Sequence, residues 1–223
     1  MPLSLTATQL IVSKICHDLA GPIGAIGAGV EAMTEQPGDA GALSLIEETQ
    51  RSLVARLDMF RIAFGRGGAA ILGDLKRTRT LVDSHLRASG GRARVAWPDD
   101  VGALSFLSAD GSRLLVLLIL VLVDSLPRGG GIDVKPYPTD VGHGLALSAN
   151  GDRALIREDI SDAWRHPLAN EDGLTARNIH AHVARVLAAD MNTEVALRMA
   201  DDDSVSMAAV FARRRSDSSP GRA

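Results

Sequence analysis

Cysteine is almost absent from this 223-residue chain; Cys16 stands alone. One thiol excludes an intramolecular disulfide framework and a cysteine-cluster metal site, and it suits a reducing cytosol. An excess of positive charge is lacking too: 24 Lys and Arg face 27 Asp and Glu, a net charge of −3. No overall field would hold a nucleic acid or an anionic membrane. The balance is also local, since residues 1–72 carry five basic and seven acidic side chains, −2 of the total, which leaves −1 for the rest. Long hydrophobic runs are missing. The longest, Leu114 to Val123, has ten residues, short of the roughly 18 to 20 that span a bilayer. The opening MPLSLTATQL has no basic segment leading into an apolar one, so no signal peptide is expected and the expected location is the cytoplasm.

Apolar residues make up 46% of the sequence, enough for a sizeable core. Over the first 66 residues they fall into two helical stripes. Ile11, Ile15, Leu19, Pro22, Ile26, Val30 and Met33 recur at steps of three and four, within about 60° of one line on a helix turning about 100° per residue. Gln36-Pro37-Gly38-Asp39 then breaks the helix and offers an N-cap, and a second stripe follows at Ile46, Leu53, Leu57, Phe60 and Phe64. The two helices form an antiparallel hairpin. A lone hairpin cannot cover ten large apolar side chains at roughly 1.5 to 3 kcal/mol each, and leaving half of that surface wet would forfeit on the order of 10 kcal/mol, the whole stability of a domain. A second copy of the chain solves this by completing a four-helix bundle, so a homodimer is expected.

Beyond Gly65-Arg66-Gly67-Gly68, a flexible break, the pattern mixes helix and strand. The spacing predicts helices at about 73–88, from Asp110 to Ser125, and at 175–189. It predicts strands at 92–97, 103–107, 131–136, 143–149, 152–157, 193–199 and 204–212. The expected fold class is α+β, a hairpin domain over residues 1–68 followed by an α/β sandwich with helices on one face of a mixed sheet over 69–212. The Arg, Ser, Gly and Pro-rich stretch 213–223 is expected to be a disordered tail.

The chemistry is concentrated in Cys16-His17-Asp18-Leu19-Ala20-Gly21-Pro22. His17 lies about 200° round the helix from Ile15, so it points away from the buried stripe into water. An exposed imidazole offers a nitrogen lone pair that can accept a phosphoryl group and pass it on. Asp18 could orient the ring and favour one tautomer, and the small residues Ala20, Gly21 and Gly24 leave room for a partner's active site. Cys16 reads as a small packing residue. His-Asp-Leu-x-x-Pro resembles the H-box of dimeric histidine kinases, and the longer string Ile15 to Glu31 resembles the start of the alphaproteobacterial ChpT-type histidine phosphotransferases. That resemblance implies His17 as phosphoryl acceptor and donor, Asp18 as its orienting residue, and Lys14, Gly21, Pro22 and Gly24 as partner-docking surface.

The second domain resembles the ATP-binding fold of histidine kinases in a degenerate form. Where that fold carries asparagines for Mg²⁺ and phosphates, this chain has Ile119 and Val123, and apolar side chains cannot ligate a hard cation. The adenine-side Asp-x-Gly-x-Gly is absent from Ser148 to Leu155, and the phosphate-side glycine motif is reduced to Gly173-Leu174-Thr175. The expectation is therefore no bound cofactor and no ATP, with Mg²⁺ brought by a partner receiver domain. The resemblance implies a phosphorelay in which a CckA-like hybrid kinase's receiver is the donor and CtrA-like and CpdR-like regulators are the acceptors. An ATP-dependent kinase core and a non-catalytic pseudo-kinase that binds regulators are the alternatives. His180 and His182, about 200° apart on a helix, cannot share a metal. Trp97, Trp164, His85, His143 and His166 read as packing or surface residues, Arg128 with its three glycines as an ordinary turn, and Asp201 to Asp203 as a solvated turn.

Overall fold

The structure, a computed structural model, describes residues 3–65, 69–165, 168, 171–201 and 203–212. The break at 66–68, His166, Asp202 and the tail 213–223 lie outside the described residues. The chain starts as two long antiparallel helices, α1 (Leu5–Glu35) and α2 (Ala40–Ala63). Ser4 caps α1 through the Ala7 amide, and Asp39 caps α2 through the amides of Gly41 and Ala42. Gly38, at φ +92, makes the turn between them. The hairpin closes tightly because Gly29 has no side chain: a Cβ there would meet Ile46 Cγ1 at 2.6 Å.

A short α3 (Ala69–Leu72) and α4 (Leu75–Ala88) lead into β1 (Ala93–Ala96), followed by α5 (Ala109–Asp124), β2 (Gly130–Thr139), β3 (Gly142–Asn150), α6 (Glu158–Arg165), α7 (Ile179–Asp190), β4 (Glu194–Asp201) and β5 (Ser204–Ala212). The sheet order is β1-β2-β3-β5-β4, with β1 parallel to β2 and every other pair antiparallel. Helix α5 is the centre of the sandwich. Its Leu114, Leu115, Leu117, Leu118, Ile119 and Leu122 are all but fully buried, as a helix that is apolar all round must be. Against it lie Ile132 and Val134 of β2, Leu145, Leu147 and Ala149 of β3, and Val205, Met207 and Ala209 of β5, one face of an alternating sheet.

Two expected strands are absent. At 103–107 the chain forms a 3-10 turn, Val101–Leu104, because the Asp100 carboxylate accepts the Gly102 amide, while Leu104, Phe106 and Leu107 reach the core from a turn rather than from alternate sides of a strand. At 152–157 the backbone turns back on itself: Ala154 N–H donates to Gly151 O, Leu155 N–H donates to Ser125 O, and Arg153 takes φ +58. Those amides are committed to α5 and a local turn, not to a ladder. Helix α6 is additional. Glu158 and Asp159 in its first turn, Arg165 in its last, and the spacing of Ile160, Ala163 and Trp164 are ordinary helix signals in a stretch too short to stand out.

Hairpin and sandwich share one core. Met59, Ile62 and Ala63 of α2 are buried in the same cluster as Leu72, Leu114 and Leu118. Arg113 Nε donates to Ile62 O at 3.2 Å and Ser52 Oγ donates to Ala88 O at 3.1 Å. These ties join α2 to α5 and to the end of α4.

Candidate functional site

His17 sits just N-terminal of the middle of α1 with 86% of its side chain exposed, the direction that helical geometry predicts. Its Nδ1 lies 3.1 Å from Asp18 Oδ1. Asp18 is half-buried, and burial pushes its carboxyl up, but the Lys14 ammonium and the hydrogen bonds from His17 and Lys14 outweigh this and hold it below the usual carboxylate range. An ionised carboxylate only accepts, so in this contact Nδ1 is the donor, which in the neutral ring leaves the lone pair on Nε2. Pro22, inside α1, has no N–H for the Asp18 carbonyl, leaving a free acceptor one turn from the imidazole. A Cβ at Gly21 or Gly24 would meet nothing within 4 Å, so the surface beside His17 is low and open. Cys16 is exposed, not packed, because it lies about 100° from Ile15 on the flank of α1.

Lys14 does not face outward with these residues. Its Nζ is 3.1 Å from Asp18 Oδ2 and its side chain is 21% exposed. It lines a cavity of about 190 Å³ between hairpin and sandwich, together with Asp18, Arg56, His85, Asp124 and His180. His180 is fully buried, with Nε2 3.5 Å from Asp124 Oδ2 and neither ring nitrogen hydrogen-bonded. Arg157, itself paired with Asp159, reaches Asp124 at 3.5 Å. This convergence of α1, α2, α4, α5 and α7 had no sequence signal, because its members are spread from residue 14 to residue 180.

Burial first, then the guanidinium of Arg56 and the ammonium of Lys14, pushes His85 down to about 4; burial, Lys14 and Arg157 push His180 down to about 3. Both rings are neutral in the folded chain, whereas an unfolded histidine titrates near 6.5. Between those values the unfolded chain binds more protons, so stability is complete above about pH 6.5 and falls as pH drops towards about 4, by on the order of 1 kcal/mol per pH unit for each ring. Asp124, raised chiefly by burial, acts the other way. Urea unfolding across this range is expected to show the loss, and His180→Leu is expected to flatten it.

Against this geometry, the family model for the histidine phosphotransferase C-terminal domain matches residues 75–203. The chain belongs to the histidine phosphotransferase family. A relative in Brucella abortus (strain 2308), named protein phosphotransferase ChpT, is 27% identical over 210 residues, 92% of this chain and 97% of its own. A solved structure described as a bacterial phosphotransferase shares the fold, with a TM-score of 0.76 and 24% identity over 94% of this chain and 98% of that one. A histidine kinase domain from Erythrobacter litoralis EL346 covers 83% of this chain and 94% of its own at 11% identity and a TM-score of 0.42, too low to argue from. The family match covers α4 to β4 and leaves the hairpin to be read from its own residues.

Of the two apolar residues that the sequence sets against the asparagines of a kinase, Ile119 is sealed in the core and Val123 lines the cavity. The loop before α7 is tied to itself. Asn178, 1% exposed, accepts the Thr175 amide at 2.7 Å and donates to Gly173 O and Asp159 O. Trp97 Nε1 donates to Asp83, His143 stacks on Phe106, and Asp203 accepts the Arg153 amide, so each has a structural task. The first two glycines after Arg128 meet backbone: a Cβ at Gly129 would lie 2.4 Å from Arg92 O and one at Gly130 would lie 2.2 Å from Asn150 O.

Proposed function

We propose that this histidine phosphotransferase is a phosphorelay intermediate in which His17 takes a phosphoryl group from an aspartyl phosphate on one receiver domain and gives it to an aspartate on another. The observation that carries the reading is the pairing of an imidazole open to solvent with a carboxylate bound to its Nδ1. In the transfer, Nε2 attacks phosphorus in line, the N–P bond forms as the acyl phosphate O–P bond breaks, and the receiver carboxylate leaves with the electron pair. The ring becomes cationic with Nδ1 still protonated, and Asp18 stabilises that charge. The receiver is expected to bring its own Mg²⁺, so this chain needs only to position His17 and present a surface for docking. Incubation with a panel of phosphorylated receivers tests this: label passing to the chain in acid-labile form, and on to a second receiver, is the expected result.

The reading includes a homodimer. Val12, Ile23 and Val30 are 54%, 57% and 52% exposed and lie within about 20° of one line on α1, while Leu43, Val54 and Leu57 form a matching exposed stripe on α2, within about 60°. That α1 line is about 120 to 140° from His17, so a second hairpin could cover it and leave the imidazole open. By length and composition α1 is apolar enough to cross a membrane, with a mean hydropathy of 1.2 over 18 residues. Lys14 and Asp18 in the same helix, paired with each other and lining the cavity against the sandwich, favour a bundle over a bilayer, where each charge would cost roughly 2.5 to 3.5 kcal/mol at the centre.

No use of ATP is proposed. The buried Ile119 and the self-bonded Gly173 to Asn178 loop support this. Calorimetry with ATP and Mg²⁺ is expected to show no binding tighter than about 100 μM, and self-labelling from ATP alone would overturn the proposal.

A further inference from the structure

Lys14, expected at a docking surface, is turned inward onto Asp18. As a helix-stabilising pair the two are poorly arranged. A lysine N-terminal to its acid is the less favourable order for a pair on a helix surface. The geometry serves something else. The two oxygens of Asp18 are divided, Oδ1 to His17 Nδ1 and Oδ2 to Lys14 Nζ, each at 3.1 Å. A carboxylate held at both oxygens cannot swing, so it sets the plane of an imidazole that is otherwise exposed.

Lys14 is itself held in place. Across the cavity lies Asp124, whose carboxyl burial pushes up and the Lys14 ammonium draws back down. Arg157 and Asp159 at the far side cancel each other. Withdrawing the ammonium would leave unbalanced negative charge in a half-buried space.

We propose that Lys14 is a positioning residue of the transfer: by fixing Asp18 it keeps His17 protonated at Nδ1, with Nε2 presented to the incoming phosphoryl group. This rests on His17 as the carrier. A free histidine prefers its proton on Nε2, the tautomer that cannot attack from that nitrogen, so the bias has to be supplied by the protein.

The test uses the full chain with Lys14→Met and Lys14→Arg and two phosphodonors: a phosphorylated receiver, and phosphoramidate, which needs no docking surface. The tautomer of His17 is read from its imidazole ¹⁵N shifts. In Lys14→Met the Nε2-protonated form is expected to grow and labelling by phosphoramidate to slow by about tenfold, short of the 10²-fold that a 1 Å misplacement can cost. Lys14→Arg is expected to restore both. An unchanged tautomer and an unchanged phosphoramidate rate overturn the proposal, including when receiver-dependent transfer alone is slowed, which would return Lys14 to docking. If Lys14→Met fails to fold, Lys14→Gln, which keeps a polar end in the cavity, takes the same readouts. Should the wild type accept phosphate from neither donor, the carrier reading fails, and the tautomer shift still decides whether Lys14 sets the ring.

Discussion

His17→Ala is expected to abolish phosphoryl acceptance completely while leaving the fold intact. The imidazole is 86% exposed and its single hydrogen bond is to the neighbouring side chain, so its loss should change stability by no more than about 0.5 kcal/mol. The outcome is checked by acid-labile labelling from a phosphorylated receiver beside a thermal melt of the same variant. Label retained at the wild-type level would move the carrier elsewhere. Among the described histidines, His85 and His180 line the cavity and His182 is buried, which leaves exposed His143, stacked on Phe106, as the residue to test next.

The second large effect is expected at the apolar face of the hairpin. Ile23→Asp combined with Val54→Asp should convert the proposed dimer to a folded monomer. Both side chains are about half exposed in the single chain, 57% and 47%, so the substitutions bury no charge within one copy. In a bundle they would strand four unpaired carboxylates between hairpins, a cost of several kcal/mol that a dimer interface cannot absorb. Light scattering at micromolar concentration reads the mass, and circular dichroism reads the retained helix. A wild type that already runs as a monomer, or a double variant that still dimerises, would remove the second copy from the account. Leu53, one position from Val54, is a poorer choice because it is half-buried within the hairpin and its loss would confuse folding with assembly.

Several features of this protein were decided by its sequence alone. Helical periodicity set which side of α1 and α2 is apolar, and with it the outward direction of His17, because a helix turning about 100° per residue leaves the residue two positions after Ile15 on the opposite side. Asp39, with an acidic side chain between Gly38 and a helix-forming run, marked the start of α2, and the ten-residue apolar block of α5 could only be a core element. Adjacency in sequence likewise put Asp18 within reach of the ring. Where short segments compete for backbone partners, the sequence was ambiguous: 103–107 and 152–157 have the composition of strands, but their amides are bound by Asp100 and by Ser125, a residue some 30 positions earlier.

Only the tertiary structure decided what Lys14 does. On the isolated helix it lies one turn from Asp18 and could as well reach into solvent. The packing of α2, α4, α5 and α7 against that turn closes a cavity and brings Asp124 to its far side, which makes the inward position of the ammonium the favourable one. The same packing neutralises His85 and His180 by removing water from them, an effect of burial that no local pattern encodes. Local periodicity determines where a side chain points; the charge it carries and the partner it meets depend on elements that arrive from elsewhere in the chain.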